Sequence, residues 1–133
     1  MISGLGYDGP SGQRYSILNY FISELGGVIE SEFAIVFNTG IFIGGLLLAL
    51  FILGLFYAFK TKLGKFASIL GIISAISGSL VGLFPYDVNI GLHALTAFTF
   101  FYGGMATMIL LSISLLIDKD RKFPLYFIIL GFI

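Results

Sequence analysis

Three long stretches without a formal charge constrain the fold of this chain more than any other feature. They cover residues 33–59, 66–86 and 88–117, which are 27, 21 and 30 residues long. An α-helix rises about 1.5 Å per residue, so about 20 apolar residues cross the roughly 30 Å hydrocarbon core of a bilayer. Each stretch reaches that length. The sequence therefore predicts an all-α integral membrane helical bundle with three full transmembrane helices.

The composition agrees with lipid as the surrounding solvent. Hydrophobic residues make up 58% of the 133 residues and charged residues 11%, with a mean hydropathy of +1.06. Soluble proteins carry about 25% charged residues, and a water-soluble core of this size cannot hide so much apolar surface. The chain has no Cys, which excludes a disulfide, a thiolate nucleophile and any metal site built on Cys.

The formal net charge of zero hides a strong asymmetry along the chain. Three spans put the two basic segments on one side of the membrane and most acidic residues on the other. The positive-inside rule then predicts a multi-pass protein of the cell membrane with cytoplasmic basic loops and an outside N-terminus. Topology explains the basic residues, so no nucleic-acid partner is indicated. The basic segments hold Lys60, Lys62, Lys65, Lys119, Arg121 and Lys122, and the outer acids are Asp8, Glu24, Glu30, Glu32 and Asp87.

We expect an exposed N-terminal loop over residues 1–14 and a single transmembrane domain over residues 15–133. Its predicted spans are residues 31–59, 66–84 and 89–117. Residues 15–25 are too short to span but have apolar residues at helical spacing, which favours an amphipathic helix in the outer interface or a re-entrant piece over the bundle. Residues 123–133 are uncharged and cover about half the bilayer, so they form a C-terminal partial span. Between a half-inserted helix and a fragment of a longer multi-span protein, we favour the fragment.

Small residues recur at helix-packing spacing in the first two spans. Such residues let helix backbones approach closely, and association inside lipid depends on that packing. We expect an internal contact among the three helices, with the face of a homodimer as the alternative. The glycines in this set are Gly40, Gly44, Gly71, Gly78 and Gly82.

A cluster of polar side chains is predicted at the outer headgroup level. His93 is the only histidine, and it lies about one helical turn into the third span. Asn38 lies at a similar depth in the first span, which begins on the same side of the membrane as the third, and Ser23, Glu24 and Asp87 would sit above this pair. Polar groups in a membrane favour a functional site, although Asn often serves only as a contact between helices.

Metal and nucleophilic chemistry are weakly supported. One His with carboxylates from separate segments is a poor zinc site, and we predict no metal and no cofactor. A triad of Ser23, His93 and either Glu24 or Asp87 lacks any nucleophile elbow around the serine. A transporter is also disfavoured, because three helices are too few for a pathway without oligomerisation.

Four short motifs occur in a characteristic order along the spans. They are N-Y-F-I-S-E-L-G at residues 19–26, F-N-T-G at 37–40, V-G-L-F-P at 81–85, and the histidine at the entry to the third span. In this order the chain resembles the DUF998 family of small prokaryotic multi-span proteins, which is similar to the wider Frag1/DRAM/Sfk1 group of eukaryotic membrane proteins.

This resemblance implies about six spans; the chain lacks the first of them and breaks off within its own last segment. It also implies that Ser23, Glu24, Asn38 and His93 match the polar motif positions of the family. DUF998 is a family of unknown function, so the resemblance supplies no enzymatic activity. The wider group is associated with lipid handling at membranes.

Two functions from different classes follow. The first is an uncharacterised membrane protein that binds lipid or a partner, or has a structural role, with the polar cluster at the outer headgroup level. The alternative is a membrane-embedded enzyme acting on lipid headgroups with His93 as general acid/base. The expected partners are membrane lipids and either a second copy of the chain or a companion membrane subunit.

Overall fold

The computed structural model describes residues 15–16, 18, 20–29 and 31–118. The predictions for residues 1–14 and 123–133 lie outside the described residues. Within the described part, a 3-10 helix (Ile22–Gly26) precedes three α-helices, α1 (Ala34–Ala58), α2 (Lys62–Leu83) and α3 (Ile90–Ile117). All three α-helices are long and apolar enough to cross a membrane. Their lengths are about 38, 33 and 42 Å. The prediction of an all-helical membrane protein with three such helices is confirmed.

The boundaries of α2 follow from its flanking residues. It begins at Lys62, four residues before the predicted start of the second span, because the Thr61 side chain accepts a hydrogen bond from Gly64 N–H at 3.0 Å and caps the first turn. It ends at Leu83, two residues before Pro85, whose ring disfavours a helical conformation in the residue that precedes it.

The starts of α1 and α3 differ in how they are capped. Asn89 caps α3 through its side-chain oxygen, which accepts a hydrogen bond from Leu92 N–H at 3.0 Å. The first predicted span begins with Ser31, but α1 starts at Ala34, after Phe33, with no side-chain cap. Ser31 contributes its backbone carbonyl instead, which accepts from Ala34 N–H at 3.1 Å.

The three helices are antiparallel in chain order, and α2 lies between the other two. It packs closely against both α1 and α3, whereas α1 and α3 hardly contact one another. We name the two ends of this bundle by their charges. The acidic end carries the 3-10 helix, the start of α1 and the α2–α3 turn, with Glu24, Glu32 and Asp87. The basic end carries the α1–α2 turn with Lys60, Lys62 and Lys65.

The core of the bundle consists of small residues on α2. Every buried residue of this helix is Gly, Ala or Ser, and the largest side chains that are fully buried in the described bundle are serines. Helices in lipid gain little from burying apolar side chains and associate through close backbone approach. The buried α2 residues are Gly64, Ala67, Ser68, Gly71, Ser74, Ala75, Gly78, Ser79 and Gly82.

In the segment before α1, the described residues form the 3-10 helix (Ile22–Gly26). Glu24 caps its start by accepting a hydrogen bond from Phe21 N–H at 2.9 Å, and the helix ends at Gly26, which Gly27 follows. Two apolar side chains just before it are largely exposed, Leu18 at 89% and Phe21 at 79%. The amphipathic helix over residues 15–25 stays a prediction.

Candidate functional site

Two polar side chains at the acidic end hold residues 26–29, which we call the cover segment. Asn38 on α1 donates from Nδ2 to the Gly26 carbonyl at 2.8 Å. Asp87 in the α2–α3 turn accepts at Oδ2 from Ile29 N–H, also at 2.8 Å. The cover segment is therefore bound at both of its ends, once to α1 and once to the turn between α2 and α3.

The cover segment packs at distances that only glycine allows. A Cβ atom added to Gly26 would collide with the Asn38 side chain, and one added to Gly27 would come within 2.9 Å of the Tyr86 ring. Both glycines are buried. The glycine pair is thus needed for contact with the bundle as well as for ending the 3-10 helix.

His93 is half-buried near the start of α3. Its Nδ1 lies 2.9 Å from the carbonyl oxygen of Phe84, and its ring meets the Tyr86 ring edge-on with 6.3 Å between centroids. A carbonyl oxygen can only accept, so Nδ1 carries the hydrogen of this bond. The structure thereby assigns His93 a backbone partner at the end of α2.

The predicted cluster is brought to one end of the bundle, but its members bond to backbone groups. Asn38, Asp87 and His93 each bond a main-chain atom of another segment, and Glu24 bonds Phe21 N–H. Among the described residues, His93 hydrogen-bonds to no carboxylate and no serine, so the Ser23 triad does not assemble. No group of three or more His, Asp or Glu suited to a metal ion occurs within the described ranges.

An apolar groove lies between α1 and α3, with α2 as its floor. It has a volume of about 690 Å³. The lining is apolar apart from the Tyr20, Ser23 and His93 side chains at the acidic end. Phe101 marks its depth, because this residue lies 11 residues beyond Ile90, or about 16 Å along the helix. The groove therefore runs from the acidic end to about the middle of α3. Its helical lining includes Gly40, Gly44 and Leu48 of α1, Gly78 of α2, and Ala97 and Phe101 of α3.

Two of the glycines predicted to pack helices, Gly40 and Gly44, line this groove. No heavy atom lies within 4 Å of a Cβ built on Gly40 or Gly44, so neither makes a close contact with another helix of the described chain. The other three glycines of the set lie at close contacts. A Cβ on Gly71 would approach Thr107 at 2.8 Å, one on Gly78 would approach the Phe100 ring at 2.7 Å, and one on Gly82 would strike the α1 backbone.

Sequence reasoning missed both the groove and the glycine that packs α1 against α2. That glycine is Gly45, which is buried against Ser79 and Ala75 of α2. Successive residues of a helix point about 100° apart, so the Gly44-Gly45 pair was a signal that glycines serve two different faces of α1.

The comparisons with known proteins give one match. A family model described as "Protein of unknown function (DUF998)" matches residues 2–133. No curated protein and no solved structure matches the chain.

Proposed function

The chain belongs to the DUF998 family, and we propose that it is a lipid-binding membrane protein whose α1–α3 groove holds one acyl chain of a membrane lipid. The description of the family states no function, so the proposal rests on the site itself. The observation that carries it is a glycine-lined apolar groove between two helices that are long and apolar enough to span a membrane.

The dimensions and lining of the groove support an acyl chain. Its volume of about 690 Å³ lies in the range of small-molecule sites, which are mostly apolar clefts with a few polar groups at one end. The polar side chains here are Tyr20, Ser23 and His93, at the depth where the polar part of a lipid would sit. Because α1 and α3 hardly contact one another, the groove opens sideways between them, and a lipid needs no passage through water to enter.

A second helix is the competing occupant of the groove. Gly40 and Gly44 have the spacing of a helix-docking face, as expected for a homodimer or a companion subunit. However, residues 20–23 line the groove at the acidic end. A straight transmembrane helix lying along α1 would meet these residues, whereas a flexible acyl chain can end beneath them. This difference favours the lipid.

The finer topology belongs to the same proposal. The positive-inside rule supports a cytoplasmic basic end, which would place the groove in the outer leaflet of the cell membrane. The similarity to the Frag1/DRAM/Sfk1 group, a multi-span family architecture and an outer amphipathic helix over residues 15–25 are further proposals. The lipid handling associated with that wider group agrees with an acyl chain as ligand.

The test fills the groove without touching the packed face of α1. Gly44→Leu places a side chain in the groove, and Gly54→Leu is the matched control, because Gly54 also has no heavy atom within 4 Å of an added Cβ but does not line the groove. We expect native mass spectrometry of the detergent-solubilised protein to find retained lipid on wild type and Gly54→Leu, and none on Gly44→Leu.

Two outcomes would overturn this proposal. One is equal lipid retention by Gly44→Leu and Gly54→Leu. The other is a wild-type dimer that Gly44→Leu converts to a monomer without changing the retained lipid, because a second copy of the chain would then occupy the groove. Thermal unfolding of both variants shows whether each remains folded.

A further inference from the structure

We infer that the groove selects lipids whose polar end carries an uncharged hydroxyl, and that His93 Nε2 is the atom that recognises it. This inference rests on the proposed lipid binding and adds the chemical class of the ligand. It follows from the hydrogen bond that fixes the His93 ring and from the charges around the acidic end of the groove.

The tautomer of His93 determines what the ring offers to a ligand. Nδ1 donates its hydrogen to the Phe84 carbonyl at 2.9 Å, and in the neutral form of the ring this tautomer leaves a lone pair on the other nitrogen, Nε2. Among the described residues no group hydrogen-bonds to Nε2. An acceptor at the polar end of an otherwise apolar groove is satisfied by a hydroxyl hydrogen. It is not satisfied by an ester or ether oxygen, because these groups only accept.

The surrounding charges argue against an anionic headgroup. No Lys or Arg is among the described residues that line the groove. Glu24 follows Ser23 directly, and Asp87 follows Tyr86, whose ring contacts His93. One carboxylate oxygen of Asp87, Oδ1, is buried without a hydrogen-bond donor. Among the described residues that line the groove, a phosphate or sulfate placed beside His93 would therefore find no cation, and the carboxylates of Glu24 and Asp87 belong to the same end of the bundle.

Ser23 provides a second polar group at this end of the groove. Its hydroxyl can donate a hydrogen bond to the oxygen of the same ligand hydroxyl or accept one from its hydrogen. A ligand with one hydroxyl can thus donate to His93 and accept from Ser23. The two side chains together can bind a neutral hydroxyl group at the end of an alkyl chain.

The test compares three probes with the same chain, which are oleyl alcohol, oleyl methyl ether and oleyl sulfate. The ether carries a methyl group in place of the hydrogen that the alcohol donates, and the sulfate carries a permanent anion there. Binding to the detergent-solubilised protein is titrated by native mass spectrometry. We expect oleyl alcohol to bind about fivefold more tightly than the ether, the effect of one hydrogen bond of about 1 kcal/mol, and the sulfate to bind no better than the ether.

Two substitutions separate Nε2 from the bond to Phe84. The amide nitrogen of His93→Asn replaces Nδ1 and can keep the hydrogen bond to Phe84, but nothing replaces Nε2. His93→Gln places its amide at the level of Nε2 and gives up the bond to Phe84. We expect His93→Asn to bind alcohol and ether equally, and His93→Gln to keep a preference for the alcohol at a lower unfolding temperature.

The outcomes distinguish this inference from the proposed function. If wild type binds the three probes equally, or the sulfate best, and Gly44→Leu abolishes all binding, the hydroxyl preference is wrong and the lipid groove stands. If His93→Asn keeps the alcohol preference, Nε2 is not the recognising atom. If wild type binds none of the probes more than Gly44→Leu does, both the lipid groove and the inference are overturned.

Discussion

Adjacent glycines on α1 have opposite surroundings, although a sequence pattern treats them alike. A Cβ on Gly45 would lie 2.5 Å from the backbone nitrogen of Ser79 and 2.8 Å from the carbonyl oxygen of Ala75 on α2. A Cβ on Gly44 would meet nothing within 4 Å. The first glycine brings two helices together, and the second leaves a space for something else. A glycine in a membrane helix therefore leaves space beside the backbone. Whether another helix fills that space depends on where the neighbouring helices lie.

The packed face continues along the whole of α2. At the acidic end, a Cβ on Gly82 would collide with the Asn38 carbonyl and lie 3.0 Å from Phe42 N on α1. On the other side, the Ser74 hydroxyl donates to the Phe100 carbonyl of α3 at 2.7 Å. Close approach on one side and a hydrogen bond on the other hold α2 between its neighbours. Across the groove, by contrast, α1 and α3 hardly contact one another.

The largest effect is expected from adding one methyl group to each of the two adjacent glycines. Gly45→Ala should lower the free energy of unfolding by about 3 kcal/mol, at the upper end for overpacking, because the added methyl meets backbone atoms that cannot rotate away. Gly44→Ala should change it by less than about 0.5 kcal/mol, as expected for a substitution away from packed or bonded groups. Unfolding in mixed detergent–SDS micelles measures both values. Equal losses would show that both glycines pack against helices.

A smaller effect is expected where the cover segment is tied to the α2–α3 turn. Asp87→Ala removes the acceptor of Ile29 N–H and should cost about 1.5 kcal/mol, the lower range for a hydrogen bond to a charged group. Asp87→Asn keeps an acceptor and removes the charge from a side chain whose Oδ1 is buried without a donor, so it should cost less.

Hydrogen exchange of the Ile29 amide gives a local measure of this tether. Loss of the bond should raise the exchange rate in Asp87→Ala by roughly tenfold, while Asp87→Asn stays close to wild type. Equal protection of Ile29 in all three proteins would mean that the cover segment is held by its glycine contacts alone.

The three long helices could be predicted from the sequence because length and apolar character suffice to define a span. The acidic end could also be foreseen, since antiparallel helices bring the start of α1 beside the start of α3. The early start of α2 was missed because the charge run 60–65 indicates a turn. In the structure, Thr61 caps α2, so that the helix begins at Lys62 and its first turn contains Lys62 and Lys65.

The partners of the polar residues and the groove could not be predicted. Asn38, Asp87 and His93 were expected to form part of one polar cluster. In the structure each of them bonds a backbone group, and every residue offers similar backbone groups. The groove depends on α1 and α3 staying apart while both pack on α2. α1 is apolar around most of its circumference, so its hydrophobic periodicity cannot indicate which face is left without a helix.

The smallest effect concerns a polar contact on the packed face at the basic end. The Thr61 and Ser114 hydroxyls hydrogen-bond to each other and join the start of α2 to the end of α3. A double-mutant cycle with Thr61→Val and Ser114→Ala should give a coupling energy of about 0.6 kcal/mol, the average for such bonds in membrane proteins. The cycle is needed because Thr61 also caps α2. Thr61→Val alone therefore loses the bond to Ser114 together with the bond from Gly64 N–H. If hydrogen bonds stabilised the packing of α2 more than close backbone approach does, the coupling energy would be similar to the unfolding free energy that Gly45→Ala loses. A coupling energy several times smaller would mean that close backbone approach at residues without a large side chain stabilises the packed face. Gly44 also has no side chain, but it makes no close contact with another helix of the described chain and does not add to this stability.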